Sequence, residues 1–211
     1  GQSVGGLLSD IEEITSRGAG HVSVYALSVP GGTPLFREIK NKKLEPAGED
    51  LEVEMYLAAK KLLEDKGYRH YEISNFAKRG RECYHNIRYW TQGRYIGIGA
   101  AAVSFDGCSR YSNEQNLEKD RSKVLKGVLP VRKAEIIGPE KQFSEYVFLG
   151  LRLLEGIALK DMEAKFPDFA GEFAARSKDL KERGLMSISG GRYKLTVKGI
   201  LYSNDVFTEL I

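Results

Sequence analysis

His21–Pro34 reads HVSVYALSVPGGTP. Its first part, His21–Val29, is short, apolar and rich in β-formers, which predicts a strand buried on both faces, as in a parallel sheet. The remainder, Pro30–Pro34, is turn chemistry. Upstream, Val4, Leu7, Leu8, Ile11 and Ile14 share one face of a helix over 4–17, with Ser3 placed to cap it and Gly18 to end it. Downstream, Leu51, Met55, Ala58, Ala59, Leu62 and Leu63 predict a second helix over 50–66, closed by Gly67. Tyr68–Ile73 reads as the next strand. Helix, strand, helix, strand is the rhythm of an α/β layer fold. Two strands are too few to hide both faces of a sheet. The rhythm therefore predicts part of a larger barrel or sheet, in which a strand precedes the first helix. A small α+β domain completed by later strands is the other way to satisfy it. The chain opens on Gly1 rather than Met, which fits either a truncated chain or removal of an initiator Met.

Beyond this region the patterning changes. Residues 74–118 are rich in Gly, Asn, Arg and Tyr, with short strand candidates only at Tyr95–Ile98 and Ala102–Phe105. Long, weakly periodic stretches are often functional. Residues 119–139 carry many Lys and Arg and read as a connector. A helix over 140–155 presents Phe143, Val147, Leu151 and Leu154 on one face, and helices over 159–165 and 168–183 follow, the last ending at Gly184. Leu185–Ser189 and Arg192–Thr196 flank Gly190-Gly191, a hairpin signal. A final helix over 197–210 has Thr196 as its cap. Three helices, a hairpin and a helix suggest a winged-helix-like module over 140–211.

Composition removes several classes. A net charge of +3 is too mild to argue for nucleic acid or an anionic membrane surface. No apolar run reaches the roughly 18 residues that span a bilayer, and no secretory signal opens the chain. Two cysteines, Cys83 and Cys108, are no disulfide scaffold and fit a reducing, cytoplasmic setting. Neither they nor the three histidines, His21, His70 and His85, make a multi-ligand metal site. The helix over 168–183 invites a DNA-binding reading, but Arg176, Lys178, Lys181 and Arg183 are balanced by Asp168, Glu172, Asp179 and Glu182.

The densest chemistry lies in Tyr71–Trp90, YEISNFAKRGRECYHNIRYW. His85, Asn86, Tyr89 and Trp90 form an H-N-x-x-Y-W element. A neutral imidazole ligates haem iron well, and Tyr and Trp offer faces for a porphyrin to stack on. Arg81 and Arg88 are placed to pair with propionates. A structural loop histidine is the plainer reading of His85. Cys83, two residues earlier, reads as a small buried hydrophobe as well as a metal ligand. Gly97-Ile98-Gly99-Ala100-Ala101-Ala102 lets a backbone approach a ligand closely, but it lacks the third Gly of a dinucleotide fingerprint. Close packing against a neighbouring segment explains it equally.

Taken together, YEISNFA at 71–77, Glu82-Cys83, HNIRYW at 85–90, IGIGAAAVSF at 96–105 and RYSN at 110–113 resemble the HemN/HemW family of radical SAM proteins. That family includes oxygen-independent coproporphyrinogen III oxidases and related haem chaperones. Gly1-Gln2 is similar to the end of the family's L-P-G-Q-T loop, and HVSVYALSVPGGTP to a late barrel strand and its P-G-T-P loop. Residues 140–211 resemble the family's C-terminal domain. The resemblance implies a truncated radical SAM (β/α) barrel with closing loops over 1–118 and a winged-helix-like domain over 140–211. It implies a haem-handling branch, with His85 as the haem ligand and Asn86, Tyr89 and Trp90 around it. Coproporphyrinogen III oxidation is the alternative. It also implies that Leu27, Ser28, Gly97, Gly99, Ala100 and Val103 border SAM. Where this chain has Ala100–Ser104 (AAAVS), relatives usually end a run in G-A-H-S, so the histidine expected at position 103 is replaced by Val103. The three cysteines that hold the family's [4Fe–4S] cluster have no counterpart here, so the chain by itself is expected not to cleave SAM reductively. A chain beginning inside a barrel would expose a sheet edge, which implies partnership with an upstream barrel region or self-association.

Overall fold

A computed structural model describes all 211 residues, which divide into two compact units, Gly1–Cys83 and Tyr84–Ile211. In the first unit, α1 spans Val4–Ser16, with the Ser3 hydroxyl accepting from the Gly6 amide. β1 covers His21–Ser23, α2 Pro34–Lys40, α3 Glu49–Asp65, β2 Arg69–Glu72 and β3 Asn75–Ala77. α1 and α3 pack on each other, and Ile11, Val22, Ala59, Leu63, Tyr68 and Phe76 form the buried core with Leu7, Val24 and Leu62 against it. Ile14, expected on the packed face of α1, is exposed.

The sheet of this unit has the order β1-β3-β2 and is antiparallel throughout. This corrects the expected parallel strand over His21–Val29. β3 is the central strand and offers only Asn75–Ala77, paired with Ser23, Val22 and His21 in turn. β1 therefore ends at Ser23 once its partner runs out. The apolar residues beyond it are not buried in strand: Tyr25 and Leu27 are exposed. The turn residues Pro30–Pro34 lead into α2, a short helix with no apolar stripe in the sequence to announce it; the Thr33 hydroxyl caps it by accepting from Phe36.

The second unit opens with α4, Tyr84–Trp90, then β4, Val103–Phe105, and β5, Ser109–Asn113. α5, Leu117–Leu125, and β6, Val131–Ile136, follow. The stretch read as a connector thus holds most of a helix and an edge strand, in a sheet of order β4-β5-β6. The Asn116 side chain caps α5, accepting from Lys119, and Asp120 is buried on it. Tyr95–Ile98 is not a strand; only Tyr95 bridges, to Phe105.

α6, Pro139–Gly150, packs on α4, buries Phe143 and Val147, and begins with Pro at its first turn, where no amide is missed. β7, Ile157–Ala158, α7, Leu159–Lys165, and α8, Pro167–Glu182, come next. β8, Met186–Ser189, and β9, Arg192–Leu195, complete a sheet of order β7-β9-β8. The β8–β9 turn needs two residues at positive φ, and Gly190 and Gly191 supply them at 58° and 69°. Phe143 stacks on Phe169 at 4.8 Å and meets Phe173 edge-on, which fixes α6 against α8. The expected last helix is two, α9, Val197–Leu201, and α10, Ser203–Leu210, broken at Tyr202. Thr196 caps α9: its hydroxyl accepts from Gly199 at 3.0 Å and also lies 2.7 Å from the Gly184 carbonyl.

Candidate functional site

α4 puts the H-N-x-x-Y-W element on a helix rather than in a loop. Spacing of four residues sets His85 and Tyr89 on one face, and Asn86 and Trp90 beside them. His85 is exposed, and its ring meets Tyr89 edge-on at 4.6 Å. Tyr89 in turn meets Tyr95 edge-on at 4.6 Å, and Tyr95 leans on Phe105. Arg152 lies over the Trp90 ring at 4.5 Å, while the Trp90 indole N–H is buried without an acceptor.

These rings border a cavity of about 310 Å³ that also takes in Phe148 and Leu149 of α6. Its charged members, Arg110 of β5 and Glu145 of α6, are joined by two hydrogen bonds of 2.9 and 2.6 Å. The bond from Glu145 raises the guanidinium's proton affinity further, so Arg110 stays a cation. Gln92, at φ 52°, ends α4, and its amide nitrogen donates to Gln142 on α6. Phe105 and Arg110 lie in the quoted runs IGIGAAAVSF and RYSN but were not singled out there, and Tyr95, Glu145, Phe148 and Leu149 lie in no quoted motif.

The other expected site residues fall as follows. Leu27 and Ser28 lie in the first unit, on the exposed segment after β1. Gly97, Gly99 and Ala100 lie in the second, in the loop between Tyr95 and β4, and Val103 begins β4. A Cβ on Gly97 would run into the Val103 backbone, and the Gly97 amide donates to Ser104 Oγ at 3.0 Å. The loop is pinned by the Asn113 side chain, which donates to the Gly99 carbonyl at 3.0 Å, while Ala101 at φ 62° bonds the Glu114 carbonyl. Packing accounts for Gly97, and the left-handed turn for Gly99 at φ 98°. Arg81 lies along Gly20 in the first unit and Arg88 along Gly93 in the second. Cys83 is half-buried, and its amide donates to the Tyr71 hydroxyl.

The YEISNFA run is a buried polar network. Glu72, fully buried, accepts from the Ser74 amide at 2.9 Å and from the Asn75 side chain. His21 bonds the Tyr71 hydroxyl at 2.9 Å, and burial pushes that phenol up to about 12. His70 stacks on Phe76 at 4.3 Å and bonds the Ile73 carbonyl; burial lowers its proton affinity. These groups support β2 and β3 and use their hydrogen-bonding capacity inside the unit.

No group of three or more His, Cys, Asp or Glu is placed to hold a metal ion, so the residues present do not fit a [4Fe–4S] cluster. An exposed imidazole held edge-on to an aromatic ring carries the donor nitrogen that a haem iron takes. On α8 Arg176 pairs with Glu172, and just beyond its end Arg183 pairs with Asp179 and Glu209. No helix is long and apolar enough to cross a membrane.

Residues 137–202 match the HemN C-terminal domain family. The chain is 34% identical to the heme chaperone HemW of Bacillus subtilis over 98% of its own length and 55% of that protein. It is 30% identical to the mitochondrial radical S-adenosyl methionine domain-containing protein 1 of Danio rerio, over 92% of the chain and 44% of the relative. It superposes on coproporphyrinogen III oxidase (HemN) of Escherichia coli with a TM-score of 0.75 at 17% identity, covering 99% of this chain and 52% of that one. The chain thus spans about half the length of the relatives it matches. Sequence and fold together show that this chain belongs to the HemN/HemW family of radical SAM proteins.

Proposed function

We propose that the chain is part of a radical SAM protein that handles a tetrapyrrole, most specifically a HemW-like haem chaperone, with His85 as ligand to the haem iron of its cargo. The observation that carries this reading is the exposed His85 ring held edge-on to Tyr89 at the border of an aromatic cavity. Neutral imidazole donates a nitrogen lone pair to iron, and Tyr89 orients the ring that does so. Asn86 and Trp90 flank it on the same helix. Leu27, Ser28, Gly97, Gly99, Ala100 and Val103 are proposed as the chain's share of a SAM site. In the whole protein a [4Fe–4S] cluster would supply the electron that cleaves SAM. Residues 140–211 are proposed as a winged-helix-like domain and the protein as cytoplasmic. The exposed apolar residues of the first unit, Tyr25 and Leu27, support partnership with an upstream barrel region or self-association.

Coproporphyrinogen III oxidation is the second reading, favoured by the superposition on the Escherichia coli oxidase. A haem titration of the chain and of His85→Ala, followed in the Soret band, tests the first. Saturable binding with a Soret shift that His85→Ala abolishes is the expected result. An identical shift in the variant would remove His85 as ligand.

A further inference from the structure

The Arg110–Glu145 pair gives the aromatic cavity a selectivity of its own. Both charges that border the cavity are satisfied by each other in a bidentate contact. The amide nitrogen of Gln92 is bonded to Gln142. A carboxylate entering here would meet Arg110, the one cation in the cavity wall, already paired, and would lose its hydration with little in return. What the cavity offers instead is ring faces and edges from Tyr89, Trp90, Tyr95, Phe105 and Phe148, closed by Leu149. Its volume, about 310 Å³, is at the small end of ligand sites, enough for one side of a macrocycle.

We propose that this cavity is a subsite for the carboxylate-free edge of a tetrapyrrole, and that it holds the macrocycle by its apolar face whether or not iron is present. The proposal rests on the tetrapyrrole reading above and adds what the site selects. Protoporphyrin IX carries its two propionates on adjacent pyrroles, so its opposite edge bears only vinyl and methyl groups. Coproporphyrin III bears a propionate on every pyrrole and has no such edge. The first fits an uncharged aromatic slot and the second does not. Iron ligation by His85, reached through Tyr89, is then a separate contribution.

Trp90 is the only tryptophan of the chain and borders the cavity, so its emission reports occupancy. The full chain is titrated with metal-free protoporphyrin IX and with coproporphyrin III, alongside Phe148→Ala and Leu149→Glu. Phe148 also packs edge-on against Phe207 at 5.1 Å, so thermal unfolding is recorded for each variant. Leu149→Glu leaves that contact in place and sets a carboxylate in the wall. Saturable quenching by protoporphyrin IX is expected, and at least tenfold weaker in folded Leu149→Glu and Phe148→Ala. Coproporphyrin III is expected to bind at least tenfold more weakly to the unmodified chain. Equal affinity for the two porphyrins, absence of saturable quenching by protoporphyrin IX, or unweakened quenching in folded Leu149→Glu would overturn the proposal. Failure of the haem-ligand reading shows separately, in the Soret band of the iron form.

Discussion

Gly97 and His70 are two single residues whose surroundings fix what a substitution does. At Gly97 a methyl group has nowhere to go but the Val103 backbone, which cannot swing aside as a side chain can. Gly97→Ala is expected to destabilise the chain by about 1–3 kcal/mol, measured by urea unfolding. An unaffected variant would show that the loop gives way easily and that packing is not why glycine is there. His70 is buried against Phe76 with Lys60, Glu64 and Tyr56 around it, and burial depresses its proton affinity. Between the depressed folded value and the ordinary 6.5, the unfolded chain takes up a proton that the folded chain refuses. Stability therefore falls as pH drops through 6.5 and stops falling below the folded value. The urea midpoint is expected to drop between pH 7.5 and 5.5, and to drop less in His70→Gln; equal drops would assign the effect to other groups. At this scale the sequence was informative where a residue type has one use. The Gly190-Gly191 turn and the Ser3 and Thr196 caps could be read directly. The cavity that Tyr89 and Trp90 border could not, because Tyr95, Phe105 and Phe148 reach it from segments with no shared pattern.

Among the elements, β5 and α6 are tied by the Arg110–Glu145 contact, both side chains being only partly exposed. Removing one partner leaves a half-buried charge, so Glu145→Ala is expected to cost about 1.5–3 kcal/mol. The double replacement Arg110→Met with Glu145→Leu should recover part of that loss, since neither charge is then stranded. A single and a double variant of equal stability would mean the two residues do not interact. Elements with a sustained 3.6-residue period, α3, α6 and α8, lay within one or two residues of their expected ends, apart from the end of α6, where the chain turns at Leu151. α4 escaped notice because Asn86, Arg88 and flanking aromatics hide its period within only seven residues. α5 escaped because its apolar residues Leu117, Val124 and Leu125 face solvent while Asp120 is the buried one. β1 was misjudged for a different reason. Its apolar run states that burial is available, not which neighbour provides it, and the short β3 is the neighbour it has.

For the molecule as a whole, Tyr25 and Leu27 in the first unit and Ile96 and Ile98 in the second stay exposed. The proposed partnership or self-association would cover such side chains. Concentration-dependent association in light scattering is the expected outcome, and a monomer at every concentration would contradict it. The alternation of helix and strand made a mixed fold readable, and the quoted motifs made its family readable. The direction of the first sheet was not, since strand polarity depends on which segments meet. Thr196 carries a last consequence. Its hydroxyl touches the carbonyls of Gly184 and Leu185 and the amide of Gly199, while its own amide bonds Leu185. One side chain thereby belongs at once to the end of α8, the hairpin and the start of α9. Those parts are expected to open to solvent together, as a single cooperative event, rather than to fray from the C-terminus one turn at a time.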